Sequence, residues 1–201
     1  DLQRVDRRQR QMCIRDSMKI EGGIGPYEFA GTPGAGTSEV QTLTIGGTPT
    51  SGTFKLAFDG QTTAEITWSS TNNTLRDNVD AALEALTNIG TGGVTVAVGT
   101  MTSGIGTLTI TFAGNLIKKA VNLITVALNS LVGTDPTVAV EETTPGVDAD
   151  FRGASKGALV TDVTNGVLYI NTGTALAPTW TKVGTQSVSY THLTLPTIYS
   201  V

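Results

Sequence analysis

Apolar and polar residues alternate along much of this chain, and the alternation predicts strands. In EVQTLTIGG, Leu43 and Ile45 are separated by threonine. In TFKLAFD, Phe54, Leu56 and Phe58 share one face, and in TTAEITW, Ala64, Ile66 and Trp68 do the same. Asp59-Gly60 between the last two runs is a hairpin signal, because glycine accepts the positive φ of a tight turn. Gly46-Gly47 and the stretch from Pro49 to Gly52 predict a turn further upstream. This part therefore reads as three antiparallel strands.

The period then changes. Leu75, Val79, Leu83 and Leu86 recur at helical spacing and predict one helix over about 72–88. Asn73 or Thr74 is the expected cap, and Gly90 comes just past the end. The helix should lie on one face of the sheet. Strands return in VTVAV (94–98) and TLTITFA (107–113). Residues 114–132 suit a helix by length, yet Val121, Leu123, Thr125 and Ala127 alternate; a turn at Lys118-Lys119 and a strand over 121–128 are the favoured reading. TVAVEE (137–142) completes this module, expected over 39–145.

Residues 146–157 read as a linker. Beyond them ALVTD, GVLYIN and PTWTKV predict a three-stranded meander over 158–187, turned first at Asn165-Gly166. So small a unit with few large apolar side chains needs outside support, and it should pack on the first module or on copies of itself. Residues 18–38 are rich in glycine and proline and read as an extended arm, with Tyr27 and Phe29 as anchors onto a neighbour. The expected class is mainly β: an antiparallel β-sandwich-like domain with one packed helix, then a small β-meander.

Composition agrees with that class. The 201 residues include 35 threonines and 24 glycines. No apolar run approaches the roughly 18 residues of a membrane helix. A net charge of −4, spread without like-charge blocks, argues against nucleic acid as a partner. One cysteine and one histidine supply neither a disulfide framework nor an ordinary zinc site.

Both ends differ from the rest. Residues 1–17 hold five of the seven arginines (Arg4, Arg7, Arg8, Arg10 and Arg15) together with Cys13, and residues 188–201 hold His192 and no charge. QMCIRDS and VSYTHLTLPT resemble peptides translated from ligated sequencing adapters, so both ends are set aside as non-native tails. Met18 is then the expected start, and no secretory signal comes after it.

Few residues suggest chemistry. Asp77, Asp80 and Glu84 form a carboxylate stripe expected to face solvent. Asp148 and Asp150 are a weak candidate pair for a cation such as calcium, which needs several oxygen ligands; Glu141-Glu142 is weaker still. GTPGAG (31–36) lacks the lysine and following helix of a phosphate loop. Asn72-Asn73-Thr74 matches a glycosylation triplet. Tyr169 and Trp180 read as the core of the meander or, if exposed together, as a surface for a sugar ring or a partner chain. Trp68 should be core. With the ends set aside no histidine or cysteine remains, so the expectation is a non-enzymatic protein without metal or cofactor.

Two segments carry a resemblance. EVQTLTIGGTPTSGTFKLAFDGQTTAEITW with the AALEAL helix, NIGTGG and GTLTITFAG resembles a β-sandwich-like module of phage structural proteins and large surface proteins. KGALVTDVTNGVLYINTGTALAPTWTKVG resembles the β-meander near the C-termini of phage head-decoration and fibre proteins. The resemblance implies a virion component of a tailed phage, with capsid or other virion proteins and copies of itself as partners. The alternative it leaves is a secreted or cell-surface adhesin-like module binding glycan or protein. It implies no catalytic residues.

Overall fold

A computed structural model of the protein describes residues 27–184. The expectations for 1–17, 18–26 and 188–201 lie outside the described residues. In chain order the elements are β1 (Tyr27–Phe29), β2 (Val40–Phe58), β3 (Gln61–Thr62), β4 (Ile66–Thr67) and helix α1 (Asn72–Glu84). Then come β5 (Val94–Thr102), β6 (Ile105–Phe112), a 3-10 turn (Gly114–Leu116), β7 (Thr125–Thr144), β8 (Leu159–Asp162), β9 (Val167–Asn171) and β10 (Trp180–Lys182). The protein is mainly β, with an antiparallel sandwich-like domain and one packed helix.

The long strand β2 organises the larger sheet. Its first part pairs with β6 on one side and with β7 on the other, and β5 extends the sheet beyond β6. Its last part keeps β7 but takes β4 and β3 as the second neighbour. The turn expected between 46 and 52 is absent: β2 is continuous over 19 residues. Likewise the two strands expected at 121–128 and 137–142 are one strand, β7, of 20 residues. The two form a ribbon running from Val40 opposite Thr144 to Ala57 opposite Thr125.

The glycines and proline read as a turn are bulges in this ribbon. Register shifts fall between Gly46 and Thr48 and between Pro49 and Ser51. Gly47 has φ +70°, and a Cβ there would stand 2.0 Å from the Asp135 carbonyl oxygen, so only glycine lets the strands approach. The bulges also change which parity faces inward. Leu43 and Ile45 are buried before them, and Phe54, Leu56 and Phe58 after them. An odd-to-even switch needs an irregular step, since a regular strand would turn the second set to solvent.

Both parts of β2 thus contribute to one core. Leu75, Val79 and Leu83 of α1 fill it from one side, and Leu108, Ile110 and Phe112 of β6 line it from the sheet, with Phe58 and Phe112 5.4 Å apart. The helix ends at Glu84, short of the expected 88, but Leu86 and Ile89 in the following turn remain buried. Its cap also differs from expectation. The N-cap is Thr71, without a side-chain bond, and Asn72 is engaged across the domain: its Nδ2 donates to Met101 O at 3.0 Å, and its Oδ1 accepts Gly104 N at 2.8 Å.

The segment before β7 explains why the expected strand starts late. After a turn at 117–118, residues 121–124 are held by Glu39, just before β2, and Gln41 of β2 in place of a ladder. Glu39 Oε2 accepts Val121 N at 2.9 Å, Gln41 Nε2 donates to Asn122 O at 3.0 Å, and Gln41 Oε1 accepts Ile124 N at 2.9 Å. Glu39 and Gln41 are themselves buried and bonded to one another at 2.5 Å. A buried carboxylate and amide are tolerable because each polar atom finds a partner.

The smaller sheet has the order β1-β8-β9-β10. The three antiparallel strands expected from the sequence are present, and a fourth is supplied by the arm: β1 lies parallel to β8, with Tyr27 opposite Val160 and Phe29 opposite Asp162. No helix among the described residues is long and apolar enough to cross a membrane.

Candidate functional site

The residues singled out for interaction converge on one place, around a side chain that the sequence reading passed over. Phe151 lies in the segment read as a linker and has φ +53°, a conformation uncommon for a bulky residue. Its ring is 5.5 Å from that of Tyr27, 5.2 Å from Phe29 and 5.7 Å from Trp180, the last two edge to face. Such pairs contribute beyond simple burial. The Trp180 indole N–H donates to Asp150 O at 3.2 Å. Tyr169 joins from β9: its hydroxyl and that of Thr32 are 3.2 Å apart. Tyr27 and Phe29 therefore anchor within their own chain, and Trp180 and Tyr169 are half-buried rather than presented together to solvent.

The arm is fastened along its length. Asp162 at the end of β8 is buried, and its Oδ1 accepts Gly31 N at 3.0 Å, Thr164 N at 2.9 Å and Asn165 N at 3.1 Å. Its Oδ2 accepts Asn165 Nδ2 at 2.7 Å. That side-chain amide, ahead of the backbone N–H groups, holds the Asp162 carboxyl below the usual carboxylate range against the opposing effect of desolvation. Phe29 O accepts Val163 N at 2.8 Å.

This arrangement makes the smaller sheet sensitive to acid. A folded-state pKa below the unfolded one gives stability that is complete above the unfolded value, about 4 for aspartate, and lost as pH falls through the folded value. Melting of the smaller sheet is expected to be flat from neutral pH to about 4 and to fall below it. Asp162→Asn should be less stable at neutral pH and lack that acid limb. Equal acid sensitivity in the two proteins would remove Asp162 as the cause.

Asp148 and Asp150 are also engaged with backbone. Asp148 Oδ1 accepts Ala120 N at 3.1 Å, and Asp150 Oδ2 accepts Gly34 N at 2.7 Å. The two thus brace different segments. Among the described residues no three His, Cys, Asp or Glu side chains come together as a metal group. Glu141 and Glu142 lie exposed on β7. The glycines of GTPGAG offer their N–H groups to these aspartates: Gly31 to Asp162 and Gly34 to Asp150.

On α1 only Asp77 of the stripe is exposed, paired with Arg76 at 2.5 Å. The expectation of a wholly solvent-facing stripe is corrected for Asp80 and Glu84, which are half-buried. Asp80 accepts Val96 N at 3.1 Å, and Glu84 accepts Gly92 N at 2.8 Å, so the two fasten the helix to β5 and to the turn before it. Burial pushes the Asp80 carboxyl above its ordinary value, with the Val96 amide opposing and Glu84 and Asp77 adding repulsion. Asn72 of the glycosylation triplet has both side-chain polar atoms occupied. Trp68 packs against the core and donates its Nε1–H to Gly104 O at 3.0 Å.

Arg152, next to Phe151, joins the two sheets. Its guanidinium donates to the carbonyls of Asn115 within the 3-10 turn and Ile117 just after it, and to Leu176 O at 2.7 Å in the loop before β10. Lys118 Nζ adds a contact to Pro178 O at 3.5 Å. Phe151, Arg152 and Asp162 were missed by the sequence reading. The signal available was the Phe-Arg pair itself: a large aromatic and a planar cation are unusual in a segment that only links.

No protein-family model matches the chain, and no curated protein matches it. Among solved structures, one from Mycobacterium phage Patience is similar over 72% of this chain and 49% of that one, at 19% identity and a TM-score of 0.37. The chain spans about half the length of that protein. A likeness at that level bears on neither partner nor activity.

Proposed function

We propose that the protein is a non-enzymatic structural component of a tailed-phage virion, of the head-decoration or fibre-like kind. It acts by multivalent packing on capsid or on sister subunits. The resemblance of residues 39–184 to modules of phage structural proteins motivates the reading. The observation that carries it is the use made of the chain's conspicuous side chains. Aromatic rings, carboxylates and glycine N–H groups all serve to fasten the arm, the linker and the two sheets to one another. That is the construction of a rigid building block. Many such blocks on a lattice bind by avidity without any strong single contact.

The adhesin-like alternative places a glycan on Tyr169 and Trp180. Phe151 packs at the Trp180 ring, Asp150 takes its N–H, and Thr32 takes the Tyr169 hydroxyl, so this geometry favours the packing role.

Peptide mass spectrometry of banded tailed-phage particles from a sample that carries this gene, with gold-labelled antibody to the protein, tests the reading. Peptides from β2 and β7 present at many copies per particle, with regular labelling of heads or fibres, are expected. Label confined to cells or to the secreted fraction would move the protein to the adhesin class.

A further inference from the structure

The place that β1 occupies has the properties of a peptide-binding slot, and its ligand is visible in it. The backbone of Tyr27–Phe29 adds a parallel strand to the edge of β8. This is the β-augmentation mode, in which main-chain bonds give affinity and side-chain contacts give specificity. Here specificity comes from four features. The Phe151 ring meets two aromatic residues spaced two apart, Tyr27 and Phe29. The Asp162 carboxylate receives the N–H of Gly31. The Tyr169 hydroxyl meets Thr32, and the Asp150 carboxylate receives the N–H of Gly34. The strand in the slot reads aromatic-x-aromatic-x-Gly-Thr-x-Gly; the ring and hydroxyl contacts select the aromatic and threonine positions, and a φ of +110° selects glycine at 31.

The covalent link between slot and ligand is slight. The root of the arm is tied at Thr37, whose N–H and carbonyl exchange bonds with Val147, both at 2.9 Å. Only Ala35 and Gly36 lie between this tie and the last slot contact at Gly34. Nothing in the slot depends on which molecule supplies the strand.

We propose that the slot also accepts residues 27–34 of a second copy of this chain, so that neighbouring molecules exchange arms and become linked. The same contacts form in the closed and exchanged states, and concentration decides between them. With the Thr37–Val147 tie kept, three peptide steps give a reach of about 10 Å, so exchange joins copies whose 147–150 loops abut. With the tie released, the six steps from Gly34 to Val40 extend the reach to about 20 Å. The inference deepens the sister-subunit packing proposed above and rests on that reading for its setting, since crowding on a lattice supplies the concentration. It does not need the lattice to be a capsid.

The test uses the full chain with Cys13→Ser and a cysteine pair at register partners, Glu28→Cys with Thr161→Cys. Neighbouring strands place such a pair within disulfide reach. After oxidation at micromolar protein, the expected product on a non-reducing gel is a monomer closed on itself. At millimolar protein, where a second copy rivals the tethered arm, covalent dimers and longer chains are expected. Deleting Ala35 and Gly36 in the same background removes the slack needed to close on itself, and dimers should then dominate at micromolar protein. Monomeric product at every concentration, with the shortened chain also monomeric, overturns arm exchange. Exchange-linked dimers from a protein found in no particle would keep this inference and remove the virion reading; particle labelling without exchange would do the reverse.

Discussion

Phe54→Ala is expected to lower the stability of the larger domain by about 3–5 kcal/mol, the cost of truncating a large aromatic in a packed core. Phe54 has no solvent exposure. It stands on β2 just past the bulges, opposite Ile66 on β4 and Asn129 on β7, where the two parts of the sheet meet. The surroundings are fixed from both sides by backbone pairing, so the cavity has little room to collapse. A typical domain has about 5–15 kcal/mol in total, and this single change removes much of it. The control is Val132→Ala on β7, which is 58% exposed and should stay within about 0.5 kcal/mol. Urea unfolding of both, read as a shift of midpoint at constant slope, makes the comparison. A Phe54→Ala loss below about 1 kcal/mol would mean that β2 does not hold the inward parity its bulges impose.

The second large effect concerns Asn171, which organises the smaller sheet as Phe54 does the larger. Its side chain is buried and uses both ends. Nδ2 donates to Ala154 O at 2.8 Å and Ser155 O at 3.3 Å, while Oδ1 accepts Gly173 N and Thr179 N, both at 2.9 Å. One amide therefore closes the loop entering β8 and the loop leaving β9. Asn171→Ala strands those groups, and unsatisfied buried polar groups cost about 1–3 kcal/mol each. Water reaches some of them, so about 3 kcal/mol is the expected total. The loss should be local. Hydrogen exchange is expected to accelerate across β8, β9 and β10 and to stay unchanged in β2 and β6. Uniform acceleration through both sheets would show that the two unfold as one unit and that Arg152 couples them more tightly than its three bonds suggest.

What could be read from the sequence was whatever depends on near neighbours. Phe54, Leu56 and Phe58 announced a strand, Leu75, Val79 and Leu83 announced a helix, and Asp59-Gly60 and Asn165-Gly166 marked real turns. Each rests on a local period or a local φ requirement. The errors came where a distant partner overrode the local signal. Gly46-Gly47 and Pro49 through Gly52 have turn chemistry, yet β7 pairs across them and makes them bulges. The late start of β7 depends on Glu39 and Gln41, some 80 residues earlier. The expectation for Tyr27 and Phe29 was anchorage onto a neighbour, whereas both rings pack on Phe151 of their own chain. No periodicity points to a single aromatic in a glycine-rich stretch, and a parallel pairing between Tyr27–Phe29 and β8 has no short-range signature.

The ribbon of β2 and β7 also sets the order of events while the chain is being made. Val40 must wait for Thr144, and the last residue of β2 is completed 86 positions before the last of β7. At about 5–20 residues per second, one side of β2 stays unpaired on the ribosome for roughly 4–17 s. During that interval a row of threonine hydroxyls and a glycine-broken backbone, rather than a flat apolar edge, is what a neighbouring nascent chain would meet.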